Sequence, residues 1–198
     1  MEYRIILASG SPRRRELLAM LGVEFTVATS IDIVESYPES LPAAEVAPFL
    51  SRLKADAYRR RIGDGELMIT ADTIVISSEG EVMGKPSSEE DARKMLHALS
   101  GRTHKVITGV CVFTKERIEQ ISAMTEVEFA RLTDDEIDSY VAVCRPLDKA
   151  GAYGIQEWIG AIGVKEIRGS FYNVMGLPLH RLYTLLKSFG VAPRPRRG

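Results

Sequence analysis

Apolar positions recur along this chain with two periods, and the switches between them predict its elements. Tyr3-Arg4-Ile5-Ile6-Leu7-Ala8 has the short apolar run of a buried strand, and Ser9-Gly10-Ser11 is a tight turn. Leu17, Leu18 and Leu21 then share one face of a helix that starts near Ser11 with Pro12 at its first position, and Gly22 ends it. Phe25 to Ala28 predicts a strand leading into an acidic loop with Asp32, Glu35 and Glu39. Val46, Phe49, Leu50, Leu53 and Ala57 follow helical spacing, so a second helix ends near Gly63, with Pro48 tolerable only in its first turn. Leu67 to Ile76 is almost continuously apolar and β-branched, the pattern of a strand covered on both faces, and Gly80 to Met83 folds back against it.

The second half continues in the same terms. Ser87 and Glu90 have capping-box spacing ahead of a helix through Leu96 and Leu99, as do Thr133 and Glu136 ahead of one carrying Ile137, Tyr140 and Val141. His104–Phe113 and Ile118–Phe129 predict long antiparallel strands. Shorter strands are expected at 152–155 and 159–167, and a last helix over Pro178–Phe189. Helices and strands mix without strict βαβ alternation, so the expectation is an α/β fold, a mixed sheet flanked by helices. Residues 1–192 are expected as one domain, with a second lobe around 103–130 and its neighbouring strands. The tail 193–198, Pro193-Arg194-Pro195-Arg196-Arg197-Gly198, is expected to be disordered.

Composition narrows the classes. Of the 198 residues 45% are hydrophobic and 27% charged, ordinary for a soluble globular protein. A net charge of −1 argues against a dedicated duplex-DNA binder, which needs a broad basic face. No apolar run is long enough for a membrane span, and the first thirty residues lack a secretory pattern, so a cytoplasmic protein is expected. Two cysteines, Cys111 and Cys144, each in an apolar stretch, are expected as buried free thiols.

Charges stand in the wrong places at two points. Arg13, Arg14 and Arg15 crowd the first turn of the first helix, where each cation costs roughly 0.3–1 kcal/mol against the helix dipole unless an anion offsets it. Strand, small-residue turn and helix N-terminus together present free N–H groups, so the anion is expected to be a phosphate-bearing ligand. Asp72 interrupts the most apolar strand, where an unpaired carboxylate is expensive. It is either a structural residue bonded to a neighbouring loop or a general base or metal ligand, with Glu35 of the acidic loop a candidate second carboxylate for a divalent cation such as Mg²⁺.

Weaker candidates remain. Gly84-Lys85-Pro86 is not a phosphate-loop motif: Gly80 and Gly84 are too close, and Pro86 stands where a Ser or Thr would hold magnesium. Lys85 can still act as a point charge. Lys54, at the edge of the second helix's apolar face, is by itself a snorkelling lysine. His97, His104 and His180 show no metal-ligand spacing, and no nucleophilic triad is visible. Asp148 to Gln156 is rich in small residues, either a turn feeding a strand or a segment lying close to a ligand. In the second case the amide of Gln156, with one donor side and one acceptor, suits the edge of uracil or thymine.

Taken together, Ser9 to Leu18, Ala71-Asp72-Thr73-Ile74-Val75, Gly84-Lys85-Pro86, Leu99 to His104, Asp148 to Gln156 and Gly169 to Pro178 occur in order and resemble the Maf family of nucleoside triphosphate pyrophosphatases over nearly the whole chain. The resemblance implies an elongated fold like that of the inosine-triphosphate pyrophosphatases, with two lobes around a deep cleft. It implies hydrolysis of a nucleoside triphosphate to the monophosphate and pyrophosphate with Mg²⁺ or Mn²⁺. By that resemblance Asp72 is the proton acceptor, and Arg13, Thr73 and Gln156 are the specificity positions of the branch acting on dTTP and UTP. Ser9, Arg14, Lys54 and Lys85 face the phosphates, and Asp72 and Glu35 serve the metal. A homodimer is implied as well. Two other classes stay open: a nucleotide-sensing regulator of division or septum formation without turnover, and RNA binding through the basic tail.

Overall fold

Strand β1 (Arg4–Leu7) lies between β2 (Phe25–Val27) and β3 (Glu66–Ile76), parallel to both, with Ile5 opposite Phe25 and Leu67. This computed structural model describes residues 3–29, 31 and 33–195; Asp32 of the acidic loop and residues 196–198 of the tail lie outside them. β4 (Val82–Met83) returns antiparallel along the end of β3, and β7 (Val164–Arg168) pairs antiparallel with β6 (Ile118–Phe129). With β5 (Thr103–Phe113) they make a mixed sheet of seven strands in the order β2-β1-β3-β5-β6-β7, with β4 beside β3. All but two residues of β3 are buried, as its continuous apolar run requires.

The helices are α1 (Pro12–Met20), α2 (Ala43–Arg59), α3 (Glu89–Leu99), α4 (Asp134–Cys144), α5 (Trp158–Gly163), α6 (Phe171–Met175) and α7 (Leu179–Ser188). Among the described residues, none is long and apolar enough to cross a membrane. The chain forms two compact units. The first comprises Met1–Asp72, Thr108–Ala123 and Gly176–Gly198; the second comprises Thr73–Ile107 and Met124–Met175. The stretch 103–130 is thus shared between them. The first unit buries Ile6, Tyr58, Met68 and Phe113 among its core residues, and the second buries Leu96, Phe129, Ile137 and Tyr153.

Several local expectations are corrected. α2 begins at Ala43, so Pro48 is its sixth residue, not part of a first turn. Proline there removes the hydrogen bond to the carbonyl four residues back. Around it, Ser51 Oγ and Gln120 Nε2 donate to the Pro48 carbonyl, and Gly109 of β5 lies so close that a Cβ on it would come within 2.6 Å of Ala47 O and Pro48 N. Gly109→Ala is therefore expected to destabilise the fold by about 2 kcal/mol, read as a shift of the urea midpoint at constant slope. An unchanged midpoint would show that this approach is loose.

The buried face of α2 is also turned from its expected line. Ala47, Ser51, Ala55 and Tyr58 join Val46 and Leu50 inside, while Phe49 is exposed. α3 is capped one residue later than the spacing suggests, by Ser88, whose hydroxyl accepts from Asp91 N–H, while Ser87 bonds the Asp91 carboxylate. Glu90 instead pairs with Lys94 on the next turn. The Thr133–Glu136 capping box forms in full. Cys111 is buried and burial pushes its thiol pKa up, but Cys144, the last residue of α4, is exposed; both are free.

The largest correction falls on residues 150–163. In place of the first strand there is a 3-10 turn at Ala150–Ala152, and in place of most of the second there is α5, with strand pairing confined to 164–168. Gly151 and Ala152 have φ of 69° and 59°, which no strand accommodates. Gly160 lets α5 turn back against Ile155, whose carbonyl oxygen would stand 1.9 Å from a Cβ.

Candidate active site

In the first unit the chain leaves β1 through Ser9-Gly10-Ser11 and enters α1 directly. Ser11 caps the helix by accepting from Arg14 N–H, Pro12 fills the first position, and Ser9 Oγ accepts from Ser11 N–H at 3.2 Å. The cap organises the turn, while the first turn of α1 contains no acidic residue to offset its arginines.

The three arginines separate on inspection. Arg14 is half-buried and turns inward: its Nη1 donates to Ala71 O at 2.9 Å and its Nε to Gly176 O at 3.1 Å. Burial lowers its pKa from the usual arginine range, Asp72 opposes that shift, Arg13 adds to it and Glu35 again opposes it. Arg14 is thus a cation fixed against the strand that carries Asp72. Arg13 is half-buried, and Arg15 is exposed with a single bond back to Gly10 O.

Asp72 is 7% exposed, and its Oδ1 accepts from Lys54 Nζ at 2.6 Å. The same Nζ lies 3.0 Å from Glu35 Oε2, so Lys54 does not snorkel; it joins the strand carboxylate to the acidic loop. Glu35 is therefore drawn into the group. Glu39 is exposed in the same loop. A buried carboxylate paired with a lysine is expensive to assemble and is weak evidence for stability alone.

Could these residues hold a divalent cation? Among the described residues no cluster of three or more His, Cys, Asp or Glu side chains could hold a metal. Magnesium does not need one, since it is usually held by one or two carboxylates, with water and substrate phosphate completing its shell. Asp72 and Glu35 are hard oxygen donors that converge on one ammonium, and they fit that demand.

The second unit holds the remaining candidates. Thr73 follows Asp72 directly on β3 and is half-buried. Lys85 is exposed just beyond β4, and the Gly84 carbonyl accepts from Gly151 N–H at 3.1 Å, which ties the lysine's loop to the segment 148–157. Gln156 is exposed between buried Ile155 and Glu157. The sequence reading passed over Lys149 and Glu157. Lys149 is 8% exposed, with its Nζ 2.7 Å from Asp148 Oδ1 and 3.1 Å from Glu157 Oε1. The available signal was a lysine inside a run of small and apolar residues.

Of the histidines, His97 and His180 are exposed, while His104 is buried with Nε2 2.8 Å from Tyr153 Oη.

Residues 4–189 match the family described as Maf-like protein. The chain is 58% identical over 186 residues to the dTTP/UTP pyrophosphatase of Phocaeicola vulgatus, and 55% identical over 186 residues to that of Bacteroides thetaiotaomicron; each alignment covers 94% of this chain and 96% of the relative. Among solved structures, the Staphylococcus aureus Ham1 protein superposes with a TM-score of 0.56 at 15% identity, over 94% of this chain and 99% of that one. At that identity the likeness concerns the fold alone, and it agrees with the fold expected from the sequence. The match over nearly the full length, together with close relatives aligned end to end, means that this chain belongs to the Maf family.

Proposed function

We propose that this protein hydrolyses pyrimidine nucleoside triphosphates, dTTP and UTP foremost, to the monophosphate and pyrophosphate, and that Asp72 is the base. The observation that carries this reading is Asp72 itself, a buried carboxylate contacted by Lys54 and neighboured by Arg14. A protein that only bound a polyanion would gain nothing from a carboxylate there, because like charge repels the ligand. A protein that must activate water beside a phosphate needs one. The names of the relatives at 58% and 55% identity support the same activity.

The residues divide by role. Asp72 orients and deprotonates the water that attacks the α-phosphorus, and Lys54 holds the carboxylate in place. Ser9, Arg13, Arg14, Lys54, Lys85 and the N-terminus of α1 bind the phosphates and offset the charge that grows on departing pyrophosphate. Thr73 and Gln156 read the base, with Arg13 completing the specificity set. A divalent cation, Mg²⁺ or Mn²⁺, held by Asp72 and Glu35, would supply further charge neutralisation and a more acidic water. The same reading carries a cytoplasmic setting and a homodimer.

Purified protein with Mg²⁺ or Mn²⁺ is expected to release pyrophosphate from dTTP and UTP well ahead of CTP and the purine nucleotides. A screen over common and modified nucleoside triphosphates, scored by pyrophosphate release, checks this. Tight nucleotide binding without pyrophosphate release under any metal condition would overturn it.

A further inference from the structure

A glutamine amide is an ambiguous reader. It presents a donor and an acceptor side by side, and turning it over exchanges them. In one orientation it complements uracil, with its N3–H donor and O4 acceptor; in the other it complements cytosine, with its N3 acceptor and N4–H donor. The amide turns about its own side-chain torsion, so a hold on the segment does not choose its orientation; it sets how closely and squarely Gln156 meets the base edge, and a loosely placed amide discriminates poorly.

The second unit contains such a hold. Glu157, next to Gln156, accepts from Tyr140 Oη at 2.5 Å through one carboxylate oxygen and faces Lys149 Nζ at 3.1 Å through the other. Tyr140 Oη in turn accepts from Gly154 N–H at 3.1 Å, so α4 is bonded to both sides of Gln156. Gly154 also lies against Glu157, where a Cβ would come within 2.6 Å of the carboxylate carbon. Burial, and next the bond to Glu157, pushes the Tyr140 hydroxyl pKa up, which keeps it a donor. A buried lysine between two carboxylates is a poor device for stability alone, since burying its charge works against folding.

The geometry points to Glu157, with Lys149 and Tyr140, as a positioning clamp that fixes Gln156 and so sets the preference for uracil and thymine over cytosine. It rests on the proposed reading in which Gln156 meets the base. Glu157→Gln keeps the side chain's shape but removes the charge that holds Lys149, and Tyr140→Phe removes only the hydroxyl.

The test measures kcat and KM for UTP and CTP in the wild type, Glu157→Gln, Tyr140→Phe and Gln156→Ala. The kcat/KM ratio of UTP to CTP is expected to fall about tenfold in Glu157→Gln and to fall also in Tyr140→Phe, mainly through a raised KM for UTP. If Glu157→Gln does not fold, Tyr140→Phe decides. Equal losses on both substrates, or an unchanged ratio in folded variants, overturn the clamp while Gln156→Ala still loses discrimination. If Gln156→Ala keeps the wild-type ratio, the base-reading role fails, and the clamp with it.

Discussion

Asp72→Asn is expected to lose pyrophosphate release from UTP by about a thousandfold while remaining folded. Asparagine keeps the size of the side chain and one acceptor oxygen, so Lys54 Nζ can still be met. Lys54 also retains Glu35 at 3.0 Å, and Arg14 retains the Ala71 and Gly176 carbonyls, so no buried cation is stripped of every partner. What disappears is the basic oxygen beside the reacting water. The measurement is kcat/KM for UTP at saturating metal, alongside thermal melting. Near-normal turnover in the folded variant would remove Asp72 from its role. A variant that still binds UTP tightly without turning it over is the signature of a missing base, whereas lost binding would make Asp72 chiefly a brace for Lys54.

The same residue shows how far local chemistry can be read from a chain. A carboxylate inside an apolar strand and three arginines at a helix start are conflicts with packing and with the helix dipole. Conflicts of that kind stand out in the sequence, because nothing local relieves them. The structure supplies the relief for Asp72, from Lys54 eighteen positions earlier. Arg14 took more: from sequence it was a cation awaiting a phosphate, whereas two carbonyls, one of them 162 residues away, hold it inside. Capping was legible wherever the signal was local, at Ser11 and Thr133, and slipped by one residue where adjacent serines at 87 and 88 competed.

What stayed hidden was set by tertiary contact. Pro48 sits mid-helix with Gly109 against its backbone and Gln120 on its carbonyl, and no window around residue 48 contains either. α5 read as a strand because Ile159 and Ile162 favour one, but Gly160 permits a close turn against Ile155. The network around Glu157 was hidden for the same reason: Tyr140 lies 17 residues away and on another helix.

His104 should make the fold acid-labile in a window where carboxylates contribute little. Its ring is buried at the start of β5, edge-on to Phe129 and Tyr153 with centroids at 5.0 and 5.4 Å. Among the described residues Nδ1 has no hydrogen-bond partner, and burial depresses the pKa from 6.5 to about 4. The native ring is therefore neutral, whereas the unfolded chain takes up a proton as pH falls below 6.5. Stability is fully present above that pH and drains away as pH falls towards about 4, where the native ring also protonates. From these two values the loss is about 2 kcal/mol at about pH 5 and about 3 kcal/mol once the transition is complete. Urea titrations at about pH 7, 6 and 5 should show this slope in the wild type. His104→Phe keeps a flat ring between Phe129 and Tyr153; it loses the bond to Tyr153 Oη, a cost common to all three pH values. Its absolute stability is lower, but its slope over that range should be much shallower than the wild type's. Equal slopes in the two proteins would move the acid sensitivity away from His104.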